Sequence, residues 1–143
     1  MTADRHPVGL LDTNVVILLS RLRDPALLPE SPRICAVTLA ELSVGPLIAH
    51  TPEERAVRQA HLQQAEADFE ALPFDAAAAR TFGGVAAALR RAGRKPTARA
   101  FDAMIAAIAI ANGLPLYTSD PGGYAGIEGL DLVSVPHPDT SVA

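Results

Sequence analysis

Short apolar runs alternate with longer helical segments along this chain. The apolar runs predict buried strands at residues 8–12, 33–37, 116–118 and 132–135, with at most a minimal strand at 72–74. Helix-start signals and apolar periodicity predict helices over residues 13–22, 38–45, 51–71, 75–93 and 97–112. Because strands alternate with helices, we expect a mostly parallel sheet with helices on both faces. The predicted fold is a three-layer α/β/α sandwich, formed as a single domain by residues 1–143.

Polar residues mark the beginnings of the predicted helices. The expected N-caps of the first, third and fourth helices are Thr13 or Asn14, Thr51, and Asp75. Thr38 and Glu41 have the spacing of a capping box, so the second helix is expected to begin there. The Gly-Pro pair at residues 45–46 is expected to shorten that helix.

Composition narrows the possible classes of protein. The 143 residues are 49% hydrophobic but only 4% aromatic, with no Trp, which favours an aliphatic core. The single cysteine, Cys35, excludes a disulfide framework and a Cys-based zinc site. A net charge of −4 argues against a surface coated in basic residues. Asp12 and Asn14 interrupt the apolar stretch at residues 8–19, and no run reaches the roughly 18 residues of a membrane span. We therefore expect a cytoplasmic protein without a membrane contact.

Acidic residues follow the predicted strands. Asp12 ends the first strand, Glu41 lies shortly after the second, and Asp120 follows the strand at 116–118. Asp102 is the polar exception in the first turns of an otherwise apolar helix. Parallel strands present their carboxyl ends at one edge of a sheet, so we expect these four side chains to converge. Carboxylates about 4 Å apart repel by roughly 4 kcal/mol, which favours a bound hard cation such as Mg²⁺ or Mn²⁺. The chemistry indicated is hydrolysis of a phosphodiester by metal-activated water.

Each acid also has a purely structural interpretation. Glu41 could complete the capping box, and Asp120 could form an Asx turn. Asp102 could pair with Arg99 one turn earlier, which stabilises an exposed helix by roughly 0.2–0.5 kcal/mol. Asp12 is hardest to explain in this way, because a carboxylate that ends a buried strand is costly without a partner.

The segments that carry the four acids resemble the motifs of PIN-domain ribonucleases, and most closely those of VapC-type toxins of bacterial toxin–antitoxin modules. These segments are Leu-Asp-Thr-Asn at 11–14, Thr-Leu-Ala-Glu-Leu at 38–42, Asp-Ala-Met-Ile-Ala-Ala-Ile-Ala at 102–109 and Leu-Tyr-Thr-Ser-Asp at 116–120. The resemblance implies a PIN-like sandwich and a Mg²⁺-dependent endoribonuclease, with Mn²⁺ as a plausible substitute. It makes Asp12, Glu41, Asp102 and Asp120 the catalytic residues.

The same resemblance suggests a role for each acid. Asp12, Asp102 and Asp120 would hold the metal, and Glu41 would orient or deprotonate the attacking water. The family pattern often continues with a further acid and an aromatic after the fourth motif. This chain has no acid there, which leaves a second metal ion without support, and Tyr124 stands in for the aromatic. A loop residue packed on the core is the alternative interpretation of Tyr124. The resemblance also implies a cognate VapB-like antitoxin as a partner, and the apolar helices favour a homodimer.

Two further groups of residues are candidates for supporting roles. The neighbours of the acids that could orient carboxylates or waters are Thr13, Asn14, Thr118 and Ser119. The basic segment that leads into the Asp102 helix could hold RNA phosphates, or form only a solvated face, and it contains Arg90, Arg91, Arg94, Lys95 and Arg99. Few aromatic residues are available to stack bases, so we expect recognition of structured RNA through shape and backbone contacts.

Two other functions compete with a ribonuclease. The first is a Mg²⁺-dependent phosphatase or a phospho-accepting receiver domain. A receiver needs adjacent acids after its first strand and a lysine after its last, and this chain has neither. The second is a catalytically silent PIN-like domain that only binds a partner. Clustered repulsive acids would serve no purpose in such a domain.

Overall fold

Five parallel strands form the central sheet of the computed structural model, which describes residues 5–140. The strands are, in chain order, β1 (Val8–Leu11), β2 (Ser31–Cys35), β3 (Ala71–Leu72), β4 (Leu116–Thr118) and β5 (Leu132–Ser134). They are arranged in the order β3-β2-β1-β4-β5, and every pairing is parallel. The order reverses direction at β1, so a crevice opens where the chain leaves β1 and β4. The predicted parallel sheet is confirmed.

The main helices lie on both faces of this sheet and are α1 (Thr13–Leu18), α2 (Ala36–Leu47), α3 (Pro52–Asp68), α4 (Ala76–Arg91) and α5 (Ala100–Ala111). Leu10 and Leu11 show how one strand serves two cores. Neighbouring side chains of a strand point to opposite faces, so Leu10 packs with α4 and α5, while Leu11 packs with α1 and α3. The predicted three-layer arrangement is thereby confirmed. Within residues 5–140, no helix combines the length and the hydropathy that crossing a bilayer requires.

The ends of α1 and α2 differ from the prediction. The N-cap of α1 is Asp12 rather than Thr13 or Asn14, because the Asp12 carboxylate accepts the backbone N–H of Val15. Helix α2 begins at Ala36, so Thr38 already lies inside the helix and the predicted capping box is wrong. By contrast, the structure confirms the N-caps Thr51 and Asp75, which accept backbone N–H groups of α3 and α4.

The Gly-Pro pair does not shorten α2, which continues through Pro46 to Leu47. A proline near the end of a helix removes one donor, and carbonyls in the last turn have no helical partner in any case. Two arginines of α3 satisfy these carbonyls: Arg58 donates to the Gly45 oxygen at 3.0 Å, and Arg55 donates to the Pro46 oxygen at 3.3 Å. Contacts with α3 therefore stabilise a helix end that local sequence disfavours.

Other boundaries move by a few residues. The predicted first helix ends at Leu18 and is followed by a 3₁₀ turn at Leu19–Arg21. The predicted start of the Asp102 helix is also a 3₁₀ turn, Pro96–Arg99, and α5 itself begins at Ala100. This turn matters for the site because it places the side chain of Arg99 beside Asp102.

Candidate active site

Asp12 lies at the centre of the site, between the end of β1 and the start of α1. It is only 3% exposed, and it accepts the Val15 N–H at 2.9 Å and the hydroxyl of Thr118. The pKa of Asp12 is raised from 3.8 to about 6. Burial is the largest cause, the two hydrogen bonds lower the pKa, and the negative charges of Asp102 and Glu41 raise it. An ionised Asp12 is therefore unfavourable here unless a cation compensates it.

Glu41 faces the site because α2 begins early. Thr13 Oγ1 donates to Glu41 Oε1 at 2.6 Å and lies 3.0 Å from Thr38 Oγ1. Burial raises the pKa of Glu41, and the negative charge of Asp102 adds to the effect. The carboxylate therefore contacts a different helix from its own, and its interpretation as a cap of α2 is wrong.

Tyr124 joins two of the acids, although its sequence position gave only a weak signal, an aromatic after the fourth motif. The side chain is 2% exposed and packs in the core beneath α4 and α5. Its hydroxyl lies 3.5 Å from Asp12 Oδ2 and 3.4 Å from Asp102 Oδ1. Burial raises the pKa of this phenol, as do the carboxylates around it, so it stays a neutral donor. The interpretation of Tyr124 as a loop residue packed on the core is thus confirmed, and its hydroxyl in addition lies near two acids.

Arg99 links Asp102 to the fourth acid, Asp120. Its Nη1 atom lies 3.1 Å from Asp102 Oδ2 and 3.2 Å from Asp120 Oδ2. The expected alternative, an Asp102–Arg99 pair, is therefore present, but the same guanidinium also binds Asp120. Gly123 provides the space for this contact, because a Cβ atom at that position would overlap Arg99 Nη1. The carboxylate of Asp120 caps no backbone group of the turn that follows, so the Asx-turn interpretation is wrong.

Two clefts reach these acids from the surface. One has a volume of about 620 Å³ and is lined by Glu41, Thr97, Arg99, Ala100, Phe101 and Asp102. The other has a volume of about 510 Å³, and its lining includes Asn14, Ser119 and Asp120. Thr118 is fully buried, and its hydroxyl accepts the backbone N–H of Asp120 at 3.0 Å. The structure thus places all four predicted supporting residues beside acids, with Thr13 and Thr118 in direct contact.

The profile of the PIN domain family matches residues 9–125 of this chain. This chain belongs to the PIN-domain family. It is 40% identical over 129 residues to Ribonuclease VapC5 of Mycobacterium tuberculosis (strain ATCC 25618 / H37Rv). The aligned region covers 89% of this chain and 93% of that protein. PIN-domain ribonucleases generally depend on a divalent metal ion.

Solved structures support the same assignment. The chain is similar to one in the crystal structure of VapBC-5 from Mycobacterium tuberculosis, a member of the VapBC family of toxin–antitoxin systems. The two chains are 37% identical with a TM-score of 0.76, and the match covers 90% of this chain and 99% of that one. It is also similar to a chain of DNA-bound VapBC from Salmonella typhimurium, with 26% identity and a TM-score of 0.68 over 89% and 96% of the two chains.

The donor set of this PIN domain suits a hard divalent cation in its chemistry. All four acids offer carboxylate oxygens, and the nearby arginine supplies one positive charge against their combined four. Burial is the main reason that the pKa of Asp12 is raised, and the negative charges of Asp102 and Glu41 add to the effect. Across residues 5–140, however, no three carboxylates, imidazoles or thiolates converge closely enough to hold one ion as they stand. Arg99 already holds two of the acids, so a directly coordinated ion requires that arginine to move.

The basic segment divides into different environments. Arg94 donates to the backbone oxygens of Gly122 and Ala125 at 2.9 and 3.0 Å, and it thereby braces the loop that carries Tyr124. Arg91 lies 3.7 Å from Glu128, in an exposed ion pair. Arg90 and Lys95 are exposed, and Arg99 alone of the five predicted basic residues contacts the acids directly in the described structure.

Proposed function

We propose that this PIN-domain chain is a Mg²⁺-dependent endoribonuclease of the VapC toxin type, which cleaves structured RNA and leaves a 5′-phosphate. The observation that carries the proposal is a series of acids at the edge where β1 and β4 end. Tyr124 links the buried Asp12 to Asp102, and Arg99 links Asp102 to Asp120. Glu41 lies close enough for its charge to raise the pKa of Asp12. The 40% identity to a protein named Ribonuclease VapC5 supports the same activity.

In this proposal, Asp12, Asp102 and Asp120 would hold the metal, directly or through water, and Mn²⁺ would substitute for Mg²⁺. The bound ion would polarise the scissile phosphate and lower the pKa of a water molecule. Glu41 orients or deprotonates that water. The pKa of Glu41 is raised towards neutral pH, which makes its carboxylate a stronger base than that of an ordinary glutamate. The Thr13 hydroxyl fixes Oε1 of Glu41, which leaves the other carboxylate oxygen to face the water.

The Tyr124 hydroxyl positions two of the acids in this scheme. It lies near one oxygen of Asp12 and one of Asp102, and its raised pKa keeps it protonated and uncharged at neutral pH. A phenol in this place keeps the two carboxylates apart by a fixed distance while it offsets part of their repulsion. Removal of the hydroxyl should therefore weaken metal binding more than it weakens the fold.

RNA phosphates are the proposed ligands of the basic segment. Arg90 and Lys95 are exposed, and Arg99 reaches the acids, so these three are the best placed to contact a backbone. Arg91 and Arg94 belong to the same proposed surface, although each already has a partner within the chain. A salt-dependent affinity is the expected signature of such contacts.

We also propose that a VapB-like antitoxin covers the cleft beside the acids and that the chain forms a homodimer in the cytoplasm, as a single PIN-like domain over residues 1–143. Solved relatives named as VapBC complexes support the partner. Several aliphatic side chains are exposed and offer protein-binding surface; those at the α2–α3 end of the molecule are Val44, Leu47, Ile48 and Val57.

Cleavage assays with purified protein test the activity. Wild type should cut a structured RNA in Mg²⁺ but not in EDTA, and Asp12→Asn should not cut in either. Hydrolysis of a phosphomonoester with no effect on RNA would favour the phosphatase alternative. RNA left intact by wild type in Mg²⁺ and in Mn²⁺ would favour a PIN-like domain that only binds a partner.

A further inference from the structure

The six aromatic residues of the chain have different surroundings, and one of them is not explained by the core. Phe74 and Phe82 pack edge to face beside α4, Phe69 packs against the core under α1 and α3, and the two tyrosines are buried. Phe101 is 51% exposed. A half-exposed aromatic ring keeps one apolar face free to contact a ligand.

Phe101 lies next to the proposed catalytic residues. It belongs to the first turn of α5, directly before Asp102, and it lines the 620 Å³ cleft together with Glu41 and Arg99. The same cleft thus presents a flat apolar face, a guanidinium and two of the proposed catalytic carboxylates. A nucleotide beside the scissile phosphate offers the matching groups, namely a base that can stack and a phosphate that can pair with arginine.

We propose that Phe101 stacks an unpaired base of the substrate next to the scissile phosphate. The inference rests on the proposed ribonuclease function and adds one contact to it. The stacked base is expected to be unpaired, because a base paired within a helix would first have to leave its stack at a cost in free energy. An interface with a second copy of this chain is less well matched here. The aliphatic side chains at the α2–α3 end suit a protein surface, whereas Phe101 is aromatic and stands among the charged groups of the site.

Binding without cleavage tests the proposal. Asp12→Asn protein is titrated in Mg²⁺ buffer into a fluorescein-labelled single-stranded RNA of random sequence, and into an RNA duplex of the same length. Phe101→Ala in this background should weaken single-strand binding by roughly 5- to 150-fold, the range that one lost base stack corresponds to. Phe101→Trp should bind at least as tightly as the parent, and Phe101→Leu should resemble Phe101→Ala, because leucine keeps apolar area but has no π face. Duplex binding should change little in any variant.

The control is Val57→Ala, which removes an exposed apolar side chain of similar exposure on α3. It should leave binding to both RNAs unchanged. Single-strand binding by Phe101→Leu equal to that of the parent would overturn the proposal, as would an equal loss in Val57→Ala. A Phe101→Ala protein that binds single-stranded RNA as tightly as the parent would overturn it too, and a changed sedimentation coefficient would then assign the ring to an interface between copies. Failure of the ribonuclease itself is distinguishable, because it appears as absent cleavage by the protein with both Asp12 and Phe101 intact.

Discussion

Replacement of Asp12 by Asn should stabilise the metal-free protein. The Asp12 carboxyl has a pKa of about 6 in the folded chain, against 3.8 as the ordinary value, chiefly because it is buried. A difference of about 2 pH units corresponds to roughly 3 kcal/mol that ionised Asp12 costs the folded state near pH 7.5. Asn removes the charge and keeps an oxygen at the position that accepts the Val15 N–H, so the N-cap of α1 remains. We expect a gain on the order of 1–3 kcal/mol in the free energy of unfolding.

The difference in stability between wild type and Asp12→Asn should depend on pH. The folded state holds the proton of Asp12 more tightly than the unfolded state, so wild type loses stability as the pH rises from about 4 to about 6. Asn does not titrate, and the advantage of Asp12→Asn should therefore fall to roughly half between about pH 7.5 and about pH 5. Urea unfolding of both proteins in EDTA, followed by circular dichroism at the two pH values, measures this difference.

Asp75→Asn is the matched control. Asp75 caps α4 through the N–H of Ala78 at 3.0 Å, just as Asp12 caps α1, but it is exposed. The exchange there should change stability by no more than a few tenths of a kcal/mol. Lower stability of Asp12→Asn than of wild type in EDTA, or an advantage that does not vary with pH, would refute the argument that Asp12 is a buried and uncompensated charge.

Three further predictions concern the metal and the basic residues. Mn²⁺ should raise the melting temperature of wild type, and it should raise that of Asp102→Asn much less; an equal rise would remove Asp102 from the metal site. Arg99→Gln should cost at most about 1 kcal/mol in EDTA, because its ion pairs are half-exposed, and calorimetry should show tighter Mn²⁺ binding once the competing guanidinium is gone. Weaker binding would show that Arg99 does not compete with the ion. Paired substitution of Arg90 and Lys95 by Gln, in a protein that cannot cleave, should flatten the dependence of RNA affinity on salt by roughly two ions released, and an unchanged slope would leave these residues as a solvated face.

Much of the architecture followed from the pattern of apolar residues. The runs that became β1, β2, β4 and β5 are short and buried, and parallel strands bring their carboxyl ends to one edge wherever they occur. The convergence of Asp12 and Asp120 on that edge is therefore a consequence of topology.

Contacts between distant segments could not be predicted from the local pattern of apolar and polar residues. Tyr124 meets Asp12 across 112 residues of chain, and no local periodicity signals that contact. The early start of α2 also has no local signal: Cys35 makes no side-chain cap, and the hydroxyl of Thr38 instead lies 3.0 Å from that of Thr13. The Thr-x-x-Glu spacing indicated a cap, because spacing alone does not show that Thr38 and Glu41 both contact Thr13 of α1.

The most direct test of the central claim is to sequence RNA 5′ ends after induction of the protein in a bacterial host. The proposed ribonuclease predicts new ends that carry a 5′-phosphate at reproducible, unpaired positions when wild type is induced. The same ends should be absent with Asp12→Asn, which keeps the N-cap and the fold. Identical ends in both cultures, or no new ends with wild type, would contradict the account.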